Sequence, residues 1–308
     1  MSQLTIVMYH YVRPILESKF PSIKGLEVNG FKRQLDYLES EFDIVSTEDV
    51  IASVKNAKKL PRKACWLTFD DGYKDHFKYV FPELKERGIQ GSFFPPRAAI
   101  QGNKVLDVNS IHHILASCDN LSKLRNRLDQ LCRDASISSL ELDRLWGEYG
   151  VANRFDDEVT IYIKRMLQHA LPEELRNAIT SKFFEECVGV SQSTFSKELY
   201  MSTSELTQLV NEGMYVGSHG SQHYWLDRIS PQDQQIDIKE SLAFLEEVGA
   251  PTKDWVMCYP YGAFNDDTLS VLRSLGAAVG LTTEVRQANL SADDPLTLPR
   301  FDTNDFPH

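Results

Sequence analysis

The amino-acid sequence predicts an α/β fold, with parallel strands alternating with helices in sufficient number to close a barrel and a helical insertion between them. Three observations carry this expectation. Short apolar runs alternate with amphipathic stretches in the first and last thirds of the chain. Polar clusters follow three of those runs directly, at the strand ends where the sites of parallel folds gather. Between these regions, residues about 105–200 hold helical periodicity and no convincing strand. A chain of 308 residues suits one large α/β domain or two ordinary ones. The reading adopted is a single barrel domain over 1–308 that carries the insertion.

Leu4–Tyr9 is a first apolar strand and ends in Tyr9-His10-Tyr11. Phe31, Leu35 and Leu38 share one face of a helix, with Asn29 expected as its cap. Phe42–Val45 is a short strand, and a helix runs from about Thr47 toward the Pro61 loop. Ala64–Phe69 is apolar and bounded by a turn signal, which reads as a buried strand. Lys74–Arg87 is expected to be helical, with Gly88 at its C-terminal cap, and Ile89–Phe94 returns as a strand before Pro95-Pro96.

In the insertion, Ile111, Ile114, Leu115, Cys118, Leu121, Leu124, Leu128 and Leu131 keep a helical period and predict one amphipathic helix. Glu158–Gln168 and Pro172–Cys187 predict two more. The insertion stabilises the core, covers a pocket as a lid or makes an oligomer contact; the sequence leaves these roles and the oligomeric state open. Alternation then resumes. Ser202-Thr203-Ser204-Glu205 is a capping box for a helix ending at Gly213, and Met214–Ser218 is a strand. Ser230-Pro231 opens a helix to Gly249, Trp255–Cys258 is a strand and Asp266–Leu275 a helix. Ala277–Leu281 and Leu296–Phe301 complete about eight strand candidates, enough for a barrel.

Hydrophobic content of 42% and charged content of 25% are ordinary for a globular protein. The net charge of −11 argues against nucleic acid or an anionic membrane as the main partner, while leaving room for a local basic pocket. The opening Met-Ser-Gln-Leu-Thr-Ile-Val-Met-Tyr-His has no basic region, long apolar run or small-residue cleavage site, so no export signal is expected. No stretch has the length of a membrane span. Five scattered cysteines without a CxxC pair fit reduced thiols, and the expected location is cytoplasmic.

The chemistry is expected at the strand ends. Asp70 and Asp71 close the apolar run, where buried carboxylates are costly without ionic partners. In a regular strand they would point to opposite faces; Gly72 lets the chain swerve so that both reach one pocket. One carboxylate would then hold a metal while its neighbour handles a proton. The same Asp-Asp-Gly sequence also fits a turn capping the next helix. His219 and His223, four apart, can converge on one ion if the backbone is helical or tightly turned. Imidazole and carboxylate donors suit Zn²⁺, with Co²⁺, Ni²⁺ or Mn²⁺ as substitutes, and two His with one Asp leave room for water and substrate. Pro260-Tyr261 forms the third cluster. His10, just past a strand, is a further candidate, whereas His76, His112, His113 and His169 are assigned to helix or loop surfaces and His308 is the last residue.

Together these residues resemble the polysaccharide deacetylase family, the NodB-homology domain. Thr68-Phe69-Asp70-Asp71-Gly72 matches its first motif, followed by Tyr73, Phe81-Pro82-Glu83-Leu84-Lys85 and Gly91-Ser92-Phe93-Phe94. His219-Gly220-Ser221-Gln222-His223 is similar to the H-[ST]-x-x-H motif, with Gly220 in place of the hydroxyl residue, and Pro260-Tyr261-Gly262 matches the end of R-x-P-[YF]-G. The resemblance covers about 1–103 and 201–306 and leaves the insertion outside it.

It implies a deformed (β/α) barrel of about seven or eight strands and metal-dependent hydrolysis of an N-acyl group on a sugar. Carried over by position, Asp71, His219 and His223 would bind the metal and Asp70 would be the general base. The Tyr261 N–H would help hold the oxyanion, with Pro260 beside it and the Tyr261 ring in the substrate groove. Two departures stand out. The motif's arginine falls at Cys258, and the late L-x-H motif that supplies the general acid is absent. Tyr9-His10 resembles the opening of some family members and makes His10 the candidate acid. Leu298-Pro299-Arg300-Phe301 resembles a terminal L-P-R and makes Arg300 the candidate partner of Asp70. The expected substrate is an acylated amino sugar, lipid-linked (reached peripherally) or nucleotide-linked, on the way to a surface polysaccharide. The alternatives are a deformylase or other C–N amide hydrolase on the same site, and a carbohydrate-binding homologue without catalysis. A D-x-D phosphatase is set aside, because here the carboxylates are adjacent.

Overall fold

A computed structural model describes residues 3–56, 58–153 and 156–308, so the first two residues of the stretch read for an export signal lie outside the described residues. The chain divides into two compact units. One comprises Met1–Pro14, Gly25–Asn103 and Lys197–His308; the other comprises Ile15–Lys24 and Lys104–Ser196.

The strands of the first unit are β1 (Gln3–Tyr9), β2 (Asp43–Ile44), β3 (Ala64–Asp70), β4 (Ser92–Phe94), β5 (Tyr215–Val216), β6 (Val256–Cys258), β7 (Val279–Leu281), β8 (Ala288–Asn289) and β9 (Phe301–Asp302). β3 is the organising strand. On one side it pairs in parallel with β1, from Leu4↔Ala64 to Tyr9↔Phe69. On the other it takes β2 at its start and β4 at its end, where Asp70 lies opposite Phe94. β4 continues to β5, and Ser218 bridges to Met257 on β6. β6 pairs with β7, Leu281 bridges to Leu298, and β9 returns to β1 at Val7↔Phe301. The ring β1–β3–β4–β5–β6–β7–β9 is parallel throughout, and single bridges close it at two places, which is the deformation of the barrel. β8 is antiparallel, against the start of β1.

Alternation along the strands explains the layers. Leu4, Ile6, Ala64, Trp66, Phe94, Val256, Cys258, Val279, Leu281 and Leu298, drawn from around the ring, meet in one buried cluster. The intervening Val7, Tyr9, Cys65, Leu67, Phe69 and Phe93 face the helices α1 (Val28–Glu41), α3 (Phe81–Arg87) and α11 (Thr203–Asn211). Trp255, Met257 and Tyr259 face α12 (Pro231–Glu247) and α13 (Asp266–Ser274).

The expected capping box at Ser202 and helix start at Ser230 are present, Ser46 and Asn265 add two caps not read from the sequence, and one expected cap is corrected. Ser46 caps α2 (Thr47–Val54), Ser202 and Glu205 form the capping box of α11, and Ser230 and Asn265 cap α12 and α13. α1 buries Phe31, Leu35 and Leu38, but Asn29 lies within it; the cap position is Glu27, whose side chain makes no capping bond. Tertiary structure sets this start, because Leu26 exchanges backbone bonds with Tyr11 and Arg13 and buries its side chain. The stretch expected as one helix over Lys74–Arg87 is π-helical over His76–Val80 before α3, and Gly88 ends it with φ 68°. Pro82 has no N–H for the regular ladder, which accounts for the change of winding.

After α4 (Arg97–Gln101), the insertion contains α5 (Asp107–Ala116), α6 (Leu121–Asp134), α7 (Ser139–Tyr149), α8 (Glu158–Arg165), α9 (Glu173–Val188) and α10 (Gln192–Leu199). The single helix expected across Ile111 to Leu131 is two. Asn120 accepts the Lys123 N–H at 2.9 Å and starts α6 afresh, so the helical period spans a break. α7, capped by Ser138, was not expected from the sequence. His113 is fully buried rather than on the surface, its ring 4.9 Å from Phe20 and 4.7 Å from Phe195.

Gly280 on β7 marks the tightest approach in the ring: a Cβ there would lie 2.1 Å from the Leu296 carbonyl oxygen. Gly280→Ala is therefore expected to lower stability by roughly 2–3 kcal/mol, read from urea unfolding, because backbone rather than a movable side chain must give way. A loss below about 0.5 kcal/mol would show that this closure has slack.

Candidate metal and catalytic site

The site lies at the carboxyl ends of β3, β5, β6 and β7 and on the segment entering β9. At the end of β3, Asp70 continues the inward face carrying Thr68, and the chain then reverses. Asp71 has φ 70° and Gly72 φ 69°, so the swerve expected at Gly72 begins one residue earlier. A Cβ on Gly72 would meet the Pro95 Cβ at 2.7 Å, which excludes any other residue without rearrangement. Left-handed backbone at Asp71 costs about 1–2 kcal/mol, and its surroundings must hold it there. The Tyr73 hydroxyl does so by donating to Asp71 Oδ2 at 2.5 Å.

His219 and His223 converge through a tight turn rather than a helix. Gly220 has φ 71° and His223 φ 60°. Asp237 on α12 fixes the turn, accepting the Ser221 N–H on Oδ2 at 2.9 Å and the Gln222 N–H on Oδ1 at 2.8 Å. A Cβ at residue 220 would lie 2.8 Å from Asp237 Oδ2, which explains why glycine stands where the resembled motif has a hydroxyl residue.

Asp71 Oδ1 is 3.4 Å from Nε2 of His219 and 3.4 Å from Nε2 of His223. All three residues are buried. His219 Nδ1–H donates to the Cys258 carbonyl at 2.7 Å, which turns its Nε2 toward the carboxylate oxygen; burial pushes this imidazole down, but Cys258 and the Asp71 carboxylate outweigh it and hold the group well above its ordinary value. A neutral imidazole and a carboxylate held together out of water repel unless a proton or a metal cation lies between them. Metal–ligand bonds of about 2.0–2.1 Å in tetrahedral array place donor atoms about 3.3–3.4 Å apart, the spacing found here. The donor set therefore fits a divalent cation. Cys258, Asp70 and His219 form a second group of donor atoms within 4.8 Å, in which the Cys258 thiol is pushed up by burial and kept neutral.

Asp70 is neutralised differently. Arg300 Nη1 donates to its Oδ1 at 2.9 Å and Nη2 to its Oδ2 at 2.8 Å. Arg300 is itself buried, and its remaining donors reach the Thr282 carbonyl at 2.9 Å and Thr68 Oγ1 at 3.2 Å. Burial alone would raise the Asp70 carboxyl; the Arg300 charge, with His219 and the guanidinium hydrogen bonds, outweighs it and holds the group at about 2. His10 Nε2 is 4.0 Å from Asp70 Oδ2, and its side chain is 42% exposed, open to an incoming molecule. Beneath it, His76 donates from Nε2 to the His10 carbonyl at 2.6 Å; this imidazole, expected on the surface, is fully buried and lowered to about 4 by burial.

Pro260 is buried, and Tyr261 has φ 59° and ψ 7°. The Tyr261 ring lies 4.7 Å from that of His223 and stacks on Trp225 at 4.2 Å with an 8° interplanar angle. The structure thus assembles Asp70, Asp71, His219, His223, His10 and Arg300 at one centre, with Tyr261 against His223. Sequence reasoning missed Tyr73, His76, Trp225, Asp237 and the Thr282 carbonyl. Tyr73 adjoins the first motif and could have been found there; Asp237 sits mid-helix with no local signal.

A sequence profile of the polysaccharide deacetylase family matches residues 57–116 and 178–280, a little over half of the chain. Over 85 residues the chain is 25% identical to YxkH of Bacillus subtilis (strain 168), described as a polysaccharide deacetylase. That match spans 28% of this chain and 30% of YxkH. Two solved structures align over nearly the whole chain. Streptococcus pyogenes deacetylase PplD, in complex with acetate, gives a TM-score of 0.60 at 18% identity over 97% of this chain and 92% of its own. IcaB from Ammonifex degensii gives 0.57 at 19% identity over 98% and 92%. At these identities the structural likeness speaks for the fold, and the family profile speaks for descent. On both grounds the chain belongs to the polysaccharide deacetylase family and has its deformed (β/α) barrel.

Proposed function

We propose that this protein is a metal-dependent hydrolase that removes the N-acetyl group from an amino sugar. The observation that carries the reading is the buried carboxylate oxygen of Asp71, 3.4 Å from two imidazole nitrogens, beside a second carboxylate already tethered by arginine. Asp71, His219 and His223 would hold the cation, Zn²⁺ with Co²⁺, Ni²⁺ or Mn²⁺ as substitutes; when bound, it supplies a water of lowered pKa and polarises the acetyl carbonyl.

The chain's own residues do the rest. Asp70 takes a proton from the attacking water, and Arg300 aims the carboxylate with two hydrogen bonds, at some expense of basicity. The Tyr261 N–H helps hold the oxyanion. His10, exposed and near Asp70, gives the leaving amine its proton. The substrate proposed is a lipid- or nucleotide-linked acylated sugar, met inside the cell. Five cysteines without a disulfide support that compartment. No helix among the described residues is long and apolar enough to cross a membrane, so contact with a lipid-linked substrate would be peripheral. Cys258 at the motif's arginine position favoured a non-catalytic carbohydrate binder; the bidentate Arg300 on Asp70 supports catalysis instead.

Release of acetate from N-acetyl amino sugars, of formate from N-formyl amino sugars and of the acid from simple amides tests the reading and separates deacetylation from deformylation. Asp70→Asn is expected to lower turnover by roughly 10²–10⁴-fold, and stripping metal with a chelator should abolish it until Zn²⁺ or Co²⁺ is returned. Metal bound with no acyl hydrolysis on any member would instead favour the binding module. His10→Gln is expected to alter the pH–rate profile, and an unchanged profile would remove His10 from the mechanism. Arg300→Ala should cost roughly 3–5 kcal/mol in urea unfolding as well as turnover, because it leaves Asp70 buried and unpaired. A loss under about 1 kcal/mol would mean that water or another cation replaces the guanidinium.

A further inference from the structure

We propose that Trp225 is a positioning residue for this reaction: its indole, stacked on the Tyr261 ring, holds Tyr261 in the left-handed backbone conformation that aims its N–H at the oxyanion. The inference rests on the deacetylase reading and adds to it a residue outside the family motifs.

Three non-glycine residues of the site have positive φ: Asp71, His223 and Tyr261. Such a backbone is disfavoured for a residue with a Cβ and persists only where its surroundings over-determine it. Asp71 has the Tyr73 hydroxyl, and His223 is fixed by the turn on Asp237 and its approach to Asp71. For Tyr261 the backbone on either side is anchored. The Tyr259 hydroxyl donates to the Leu296 carbonyl at 2.7 Å, and Gly262 sits so close to Thr283 that a Cβ would meet its Oγ1 at 2.3 Å. The Gly262 N–H donates to the Tyr259 carbonyl at 2.9 Å and closes a turn with Pro260 and Tyr261 at its corners, which calls for positive φ at Tyr261; a residue with a Cβ is strained there, and the direction of its side chain is coupled to that backbone. The ring is fixed by a near-parallel stack at 4.2 Å and 8°, with the His223 ring at its edge.

Trp225 is well placed to bear this load. It is partly buried and leads into the turn Leu226–Arg228, whose Leu226 is fully buried with Trp255, Met257 and Tyr259. The Arg228 guanidinium lies 5.1 Å from its ring. A run of ring contacts thus leads from Trp225 through Tyr261 to His223, a proposed ligand of the cation. A displaced oxyanion donor harms the transition state and spares the ground state, which distinguishes this role from simple packing.

The test uses Trp225→Ala and Trp225→Phe, each in the unaltered protein and in Tyr261→Gly. Four quantities are read: acetate release from the best acyl sugar, affinity for the methylphosphonamidate of the same sugar, affinity for acetate, and bound metal. Trp225→Ala is expected to lower kcat/KM and affinity for the tetrahedral analogue together by about tenfold or more, with metal content and acetate affinity unchanged. Trp225→Phe, which keeps a flat face, should recover to within about threefold. In Tyr261→Gly, where glycine takes the left-handed conformation unaided, Trp225→Ala should cost less than about threefold. If Trp225→Ala fails to fold, Trp225→Leu, apolar but without a flat face, carries the same test. The inference is overturned if the Ala or Leu variant matches the unaltered protein, if Phe is as impaired as Ala, or if activity falls only in step with lost metal. Turnover by the unaltered protein with no effect of Trp225 overturns this inference alone; no turnover by the unaltered protein on any acyl sugar overturns the deacetylase reading beneath it as well.

Discussion

The structure depends on how two adjacent buried carboxylates at the end of β3 are neutralised. Two unpaired charges in a barrel interior would be untenable, and the protein treats them differently. Asp70 receives both terminal nitrogens of Arg300, whose other donors are absorbed by Thr68 and the Thr282 carbonyl. This pair also ties β3 to the segment entering β9, where a single bridge from Leu281 to Leu298 joins the sheet, so closure of the barrel and orientation of the base are one interaction. Asp71 has a tyrosine hydroxyl and two imidazoles instead, a set that becomes electrostatically comfortable when a cation joins it.

The strained backbone at the centre follows from the same demand. Regular strands send successive side chains to opposite faces, so placing both carboxylates in one pocket requires the left-handed turn at Asp71 and Gly72. The histidines likewise come from a turn that Asp237 braces from α12. The barrel supplies rigid strand ends, and the irregular steps just beyond them aim the donors. Such a site is costly in backbone terms and is held by hydrogen bonds and aromatic packing around it.

Much of this was legible in the sequence because it depends on local chemistry. The Asp-Asp-Gly strand end, the spacing of His219 and His223, and the helix starts at Ser202 and Ser230 announce themselves within a few residues. Arg300 was legible because this chain has Cys258 where the resembled motif has an arginine, and Leu298-Pro299-Arg300-Phe301 resembles a terminal L-P-R at another strand end. The errors arose where distant packing decided. Asn29 has the right chemistry for a cap, but Leu26 starts the helix elsewhere. The apolar period from Ile111 to Leu131 runs through a break at Asn120, because two consecutive helices can share a buried side. His113 is buried among aromatic rings that arrive from far along the chain, and His76 against Phe69 and Phe93 of two neighbouring strands. Asp237 could not be linked to the histidine turn without the fold.

The most direct measurement is titration of metal-free protein with Co²⁺, followed by visible absorption. The account predicts a single ion bound in a low-symmetry site of nitrogen and oxygen donors, with its absorption lost or shifted in Asp71→Asn and in His223→Gln but retained in Cys258→Ser. Absent absorption, or bands unaffected by Asp71→Asn and His223→Gln, would contradict it.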